Sequence, residues 1–407
     1  MKTAPTTLSH HNQVILDELA MTLDYAQGLT LLLARCNMPA LRQTLIAQLQ
    51  QKLAQDDIHL LDVTFTEPVI ELREQLGQRL TESQTGAKPV ISIAGLELSI
   101  PYKAEEIALL TELNMGRELF HRDTPVPLLF WLPDYALTAL AQKAQDFWAW
   151  RSGVFDFETE EADRLQTFEQ VTQETGWITV QNLPGPQTQQ RRSILESLWD
   201  EYVNMDETPQ VMEQRIALLY SLAQINKVLH DIPQTIDYWV QYLNLIRARE
   251  NHLHEESNAL HGLGMAYDAR GDYERALTYL EESLKISQEI GDKSGEGTTL
   301  NNISQIYDAR GDYERALTYL EESLKISQEI GDIAGLCATL FNMGHIYYYQ
   351  KDDHPTGLQM WREVYQLAQP IKLAQVLDAL ENLANELELP AGLESWAMLG
   401  EDERKKE

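Results

Sequence analysis

One string of 26 residues occurs twice in this chain. Residues 267–292 read YDARGDYERALTYLEESLKISQEIGD, and residues 307–332 repeat them letter for letter, 40 positions on. Self-similarity at such a period predicts a stack of like units, because one unit alone cannot bury its apolar face. Weaker copies flank the pair. SLAQIN at 221–226 stands where HGLGMAY and NNISQIY stand, and NMGHIYYYQ at 342–350 does the same downstream. The spacing predicts two amphipathic helices per unit. In the first full copy, helix A covers 253–269, with Leu260, Leu263, Gly264 and Tyr267 on one stripe. Gly271-Asp272 makes a turn. Helix B follows over 272–290, with Ala276, Leu277, Leu280, Leu284 and Ile286 apolar. Gly291 is placed to end that helix and Asp292 to cap the next. The small residues Gly264 and Ala276 let the two helices approach closely.

These units resemble the tetratricopeptide repeat in a 40-residue form. The residues that carry the resemblance are Leu263, Gly264, Tyr267, Ala276 and Leu280 in one copy, and Ile303, Ser304, Tyr307, Ala316 and Leu320 in the next. Met343, Gly344, Tyr347, Gly357 and Trp361 form a third copy, after a one-residue insertion around Asp352–His354. Leu222, Ala223, Asn226, Thr235 and Trp239 make a degenerate first one. The late proline of the pattern is absent, with Gln288 and Gln328 in its place. Four units over 212–369 are expected, then a capping helix at 372–388.

The resemblance implies a concave groove lined by the helix A faces. Forty-residue offsets give its rows: His261, Asn301, Phe341; then Met265, Gln305, His345; then Asp268, Asp308, Tyr348. Asn302 and Asn342 follow the first row by one position. In peptide-binding relatives an Asn near this place contacts the ligand backbone, since an amide both donates and accepts. Lys and Arg do not cluster here, so a clamp for acidic tails is unsupported. Asp268 and Asp308 would rather favour a ligand with basic or hydroxyl groups. His252, His254 and His261 do not suggest a metal: an HxH pair on a helix points its rings apart.

Residues 1–185 alternate apolar runs with helical stretches. Strands are expected at 29–36, 58–65, 89–96 and 125–132, with ITVQN at 178–182 as an addition. Helices are expected at 11–26, 39–54, 68–82, 103–121, 134–148 and 158–172. This order means crossover units and a parallel sheet with helices on both faces. It resembles P-loop NTPases, whose first strand and helix are joined by G-x-x-x-x-G-K-[ST]. Here the join reads Ala34-Arg35-Cys36-Asn37-Met38-Pro39-Ala40, without the glycines or the lysine that grip phosphate. A Walker A site is therefore missing.

The segments LTELNMGRELF at 110–120, FWLP at 130–133 and AQDFWAWRSGVFDF at 144–157 are similar to a domain that precedes tetratricopeptide arrays in bacterial proteins. That domain resembles the nucleotide-binding modules of STAND-type regulators with the phosphate loop degenerate. Asn114, Arg117 and Arg151 are the residues to consider for an anion or nucleotide at the C-terminal edge of the sheet. The plainer reading pairs Arg117 with Glu118, Asp134 or Asp146, and puts Trp148, Trp150 and Phe155 in the core. Asp62 and Asp134 stand at strand ends. Cys36 also does, without a His spaced to activate it.

Thirty-two basic against 63 acidic residues give a net charge of −31. Such a balance argues against the basic face that a nucleic acid or an anionic membrane requires, and leaves open only a local basic patch. Two cysteines 301 residues apart predict no disulfide framework and fit a reducing cytoplasm. The N-terminus has no apolar signal core, and no run of apolar residues is long enough to span a bilayer.

The expected organisation is therefore α/β plus all-α. An NTPase-like domain without Walker A spans 1–185, a linker and helix 186–211, a tetratricopeptide α-solenoid with its cap 212–390, and a charged tail 391–407. The expected function is a non-enzymatic, cytoplasmic adaptor that binds a protein segment, with no cofactor. The alternative is a nucleotide-responsive signalling switch.

Overall fold

The computed structural model describes residues 8–83, 86–100, 106–173, 185–249 and 251–398. The chain divides into two compact units, Met1–Asp231 and Ile232–Glu407. The division falls inside the degenerate first repeat, so Leu222 and Trp239 belong to different units.

The first unit is built on five parallel strands: β1 (Leu31–Arg35), β2 (Ile58–Thr64), β3 (Lys88–Ala94), β4 (Leu128–Leu132) and β5 (Arg151–Asp156). Their order across the sheet is β2-β3-β4-β1-β5. Alternation along each strand sorts the side chains onto two faces. Leu31, Leu33, Val63, Ile91, Ile93, Leu128, Phe130 and Leu132 share one core with α3 (Leu72–Glu82), α4 (Ala108–Asp123), α5 (Asp134–Lys143) and α6 (Gln145–Ala149). Leu32, Ala34, Val90, Leu129 and Trp131 point the other way. On that side lie α1 (His10–Tyr25) and α2 (Pro39–Leu53), with Leu16, Leu19, Leu23, Leu41, Leu45 and Leu49 buried. Both faces are covered, which explains why the strands read as continuous apolar runs rather than as alternation.

Several sequence expectations change here. β5 was not expected as a strand: it is an edge strand containing Gly153, and half of its residues are exposed, so no apolar run marks it. The helix expected at 134–148 is two helices, separated at Ala144. The helix expected from 68 begins at Leu72, because Glu71 adopts a left-handed backbone with φ 63°. ITVQN at 178–182 lies outside the described residues. A helix starts at Gly185, where proline in a first turn costs no hydrogen bond. After α7 (Glu161–Gln173) come α8 (Gly185–Val203) and α9 (Pro209–Val228).

The second unit contains α10 (Ile232–Arg247) and then three A/B helix pairs. They are α11 (Leu253–Ala269) with α12 (Tyr273–Ile290), α13 (Lys293–Ala309) with α14 (Tyr313–Ile330), and α15 (Ile333–His345) with α16 (His354–Ala368). Gly291 and Asp292 cap as the sequence predicts, while Asp272, read as a turn residue, is itself an N-cap. Asp272, Asp292, Asp312 and Asp332 each accept a backbone N–H three residues on. Gly291 and Gly331 end their helices at φ 73° and 69°. Gly264 is needed for close approach: a Cβ there would stand 2.5 Å from Leu280 Cγ. Tyr267 stacks on Tyr279 at 5.3 Å, and Tyr307 repeats the contact on Tyr319 at 5.4 Å.

The third pair departs from the others in a way its sequence explains. Asp272 and Asp312 cap their B helices, and a further step of 40 would put the cap at Asp352. It falls on Asp353. The extra residue is absorbed upstream as a π-helical turn over Ile346–Gln350, closed by Lys351 N–H to the Ile346 carbonyl at 3.0 Å. α17 (Ala374–Glu386) and α18 (Ser395–Met398) finish the stack, and Trp396 and Leu380 bury against Trp361 in one apolar cluster.

Candidate functional site

In open α/β sheets ligands bind outside the carboxyl ends of the strands, where the chain connections diverge. In this sheet that place lies between β1 and β4. β1 connects toward β2 on one side, and β4 connects across β1 to β5. The chain fills it with its own polar groups. Arg35, ending β1, makes a two-pronged pair with Asp156 at the end of β5 and reaches Asp134 at 3.1 Å. Asn37 accepts the Asp134 N–H at 2.9 Å and donates to Glu201 of α8 at 3.0 Å. Tyr135 and Ser193 of α8 share a hydrogen bond of 2.8 Å. Cys36 is wholly buried, and burial pushes its thiol up to about 12, so it is no nucleophile at neutral pH.

Beside this network, a cavity of about 460 Å³ opens at the ends of β2 and β3. Asp62, Thr64, Gln43, Gln50 and Gln190 line it, together with Arg42 and Glu97. Arg42 and Glu97 are paired to each other at 2.7 Å. The cavity thus presents no uncommitted cation to a phosphate among its lining residues.

Asn114, Arg117 and Arg151 do not reach this edge. Arg151 opens β5, at the opposite end of the sheet. Its guanidinium sits 4.1 Å from the Trp148 ring centroid and donates to the Trp148 carbonyl at 2.9 Å. Arg117 pairs with Asp146 at 3.2 Å, and Asn114 Oδ1 accepts the N–H groups of Asp146 and Phe147. These contacts cap α6. Phe155 is buried, as expected, but Trp150 is 40% exposed and does not close a core.

α8 carries a charge that titrates near neutrality. Glu196 is buried, and desolvation pushes its carboxyl up to about 7 against the pull of Arg192 at 2.8 Å. A carboxyl raised in this way favours the protonated folded state. Its stabilising contribution is complete below the ordinary carboxylic range and is lost as pH rises through about 7. Glu196→Gln should therefore become more stable relative to wild type between pH 5 and pH 8, by on the order of 2–3 kcal/mol. Urea unfolding at the two pH values checks this. A difference that does not change with pH would place the titration elsewhere.

In the second unit, successive A helices lie side by side, and His261, Asn301, Asn302 and Asn342 meet across them. His261 meets Asn302 (Nε2 to Nδ2, 3.1 Å) and Thr299 (3.3 Å). Asn301 donates to Thr339 at 3.1 Å and accepts from Asn342 at 2.7 Å and Gln305 at 3.2 Å. Asn301 is buried, so it lies beneath the face and serves as its hub rather than as a free contact. Asn302 and Asn342 are half-buried, and Gln305 is exposed. Among the described residues, the Oδ1 atoms of Asn302 and Asn342 have no partner. Thr299 and Thr339, which bond His261 and Asn301 behind these amides, were not singled out from the sequence, although their 40-residue offset marks them.

Met265, Asp268, Asp308, Phe341, His345 and Tyr348 are all half-buried on the same helices. Burial pushes the carboxyls of Asp268 and Asp308 up. The rings cluster: Phe341 and His345 centroids are 4.7 Å apart, and Tyr348 lies 5.2 Å from the buried Trp361. His345 Nδ1 donates to the Phe341 carbonyl at 3.0 Å.

Comparison with known proteins agrees with the repeat. Residues 214–289 and 255–329 match the tetratricopeptide repeat family model, and this part of the chain consists of such repeats. No curated protein sequence matches the chain. Similar solved structures include BtubC (BKLC) from P. vanneervenii, 18% identical, covering 60% of this chain and 90% of its own, with a TM-score of 0.39. Another is aspartyl phosphate phosphatase F from Bacillus subtilis, 12% identical, covering 99% and 96%, TM-score 0.43. A Signal Transduction ATPase with Numerous Domains that has a tetratricopeptide repeat sensor, from Pyrococcus horikoshii, is 10% identical over 94% and 81%, TM-score 0.31. No functional conclusion follows from likeness at this level. Among the described residues, no helix is long and apolar enough to cross a membrane.

Proposed function

We propose that this chain is a non-enzymatic adaptor that holds an extended segment of a partner protein against the A helices of its repeats. The observation that carries this is the amide network. Asn302 and Asn342 are each fixed through Nδ2, by His261 and by Asn301, and each leaves an Oδ1 acceptor unused. They stand one repeat apart. Two oriented acceptors on successive repeats suit the N–H groups of an extended peptide, which has no internal hydrogen bonds to satisfy them. A solvent-facing amide needs no such fixing. The first unit supports the same reading, since its crevice is closed by Arg35, Asn37 and α8 and Walker A is absent.

Selection from a random dodecapeptide display library on the full-length protein tests the proposal. Selected peptides should bind Asn302→Ala/Asn342→Ala about tenfold or more weakly, since each lost hydrogen bond is worth ~1 kcal/mol. Asn301 is left intact in this variant because its loss would disturb the helix packing itself. Peptides that bind wild type and variant alike would move the binding surface elsewhere.

A further inference from the structure

Resting on that reading of the groove, we propose that the partner segment is basic, its Lys or Arg side chains received by Asp268 and Asp308 on successive repeats, next to the third repeat that carries Phe341, His345 and Tyr348.

The argument begins with what is missing around the two carboxylates. Both are half-buried, and Asp308 Oδ1 is a buried oxygen with no hydrogen-bond partner among the described residues. A desolvated carboxylate without a cation is costly to keep, and an incoming positive group relieves that cost. The A helices do not supply one. Residues 253–269, 294–309 and 333–350 contain no Lys or Arg, and Lys293, at the start of α13, is held by Glu296 at 2.6 Å. Three turn arginines are engaged, Arg270 with Asp272 at 3.0 Å, Arg275 with Asp272 at 3.6 Å and Arg315 with Asp312 at 3.2 Å, and the fourth, Arg310, makes no ion pair among the described residues and does not act on the Asp308 carboxyl. The side chain that acts electrostatically on Asp308 is His345 from the next A helix, which draws its carboxyl down against the larger effect of burial.

The third repeat then adds aromatic surface at the positions where the first two carry Asp and amides. Tyr348 stands 40 residues after Asp308, and Phe341 40 after Asn301. Ring faces attract an ammonium or guanidinium, the more strongly when it is desolvated. The π-helical turn at Ile346–Gln350 is what sets Tyr348 between His354, at 4.3 Å, and Trp361. A net charge of −31 further favours encounter with a basic segment.

The test uses the same dodecapeptide library on full-length protein, with the near-isosteric variant Asp268→Asn/Asp308→Asn alongside. Far-UV circular dichroism and thermal unfolding show whether that variant is folded. Wild-type protein should select peptides that share a Lys or Arg. Replacing that residue by norleucine should weaken binding about tenfold or more, and the Asn/Asn variant should lose the same factor and no longer distinguish the two peptides. Peptides that depend on Asn302 and Asn342 but share no basic residue would overturn the cation while leaving the groove standing. Selection of no peptide, or only of peptides indifferent to Asn302 and Asn342, would overturn both.

Discussion

Trp361→Ala is expected to remove about 4 kcal/mol from the stability of the Ile232–Glu407 unit, the range for a fully buried large aromatic being about 3–5 kcal/mol. Trp361 has no exposed surface. Its indole N–H donates to the Phe341 carbonyl at 3.0 Å, and its ring meets Trp396 edge-on at a centroid distance of 6.0 Å. Gly344 is shaped for it: a Cβ on Gly344 would stand 2.5 Å from Trp361 Nε1. Truncation thus leaves a cavity between α15, α16 and α18 and removes one hydrogen bond to the Phe341 carbonyl, which keeps that from His345 Nδ1. Because repeat stacks are stabilised chiefly by nearest neighbours, the loss should be local. Hydrogen exchange should accelerate in α15–α17 and much less in α11 and α12, and the urea midpoint should fall. Trp361→Phe should recover part of the loss, since it keeps most of the ring but not the N–H. A cost under about 1 kcal/mol would mean that the site collapses around the smaller side chain and that the aromatic cluster does not hold the end of the stack.

That part of the fold was legible because repetition turns a sequence into its own alignment. Gly264, Ala276 and Leu280 announce a close helix pair, and Asp272, Asp292 and Gly291 announce its ends, through short-range rules that tertiary context seldom overrides. The insertion near Asp352 was equally visible. Its consequence was not, because a helix can take up an extra residue as a π-turn or as a longer loop, and packing against Trp361 decides between them. The rows of A-helix residues are read from the period alone. Burial is not: Asn301 and Asn302 are adjacent, and only the turn of α13 places one beneath the face and the other upon it. In the α/β unit, strongly apolar strands such as Leu31–Arg35 were plain, whereas β5 was hidden by Gly153 and its exposed edge. The closing of the crevice was hidden altogether. Asn37 and Glu201 are 164 residues apart, and no local pattern ties a strand end to a helix so distant.

The buried pair Arg42–Glu97 was hidden for the same reason, and it gives the other large effect. The side chains are 6% and 10% exposed and meet at 2.7 Å. Arg42→Met should destabilise the Met1–Asp231 unit by about 3–5 kcal/mol, because it leaves the Glu97 carboxylate buried without its cation. The pair is not optimal as it stands: Arg42 Nε and Glu97 Oε2 are both buried without a hydrogen-bond partner. The double variant Arg42→Met/Glu97→Leu should therefore recover most of the loss, since no charge is then stranded. Urea unfolding of wild type, both single variants and the double variant gives the coupling. A double variant as unstable as Arg42→Met would show that packing volume, and not the stranded charge, is what the substitution removes. A recovered double variant that still binds the selected peptides would carry a further meaning. The arginine that lines the cavity would then be dispensable for binding, as expected if charge at this edge of the sheet holds the fold closed and the repeats do the recognising.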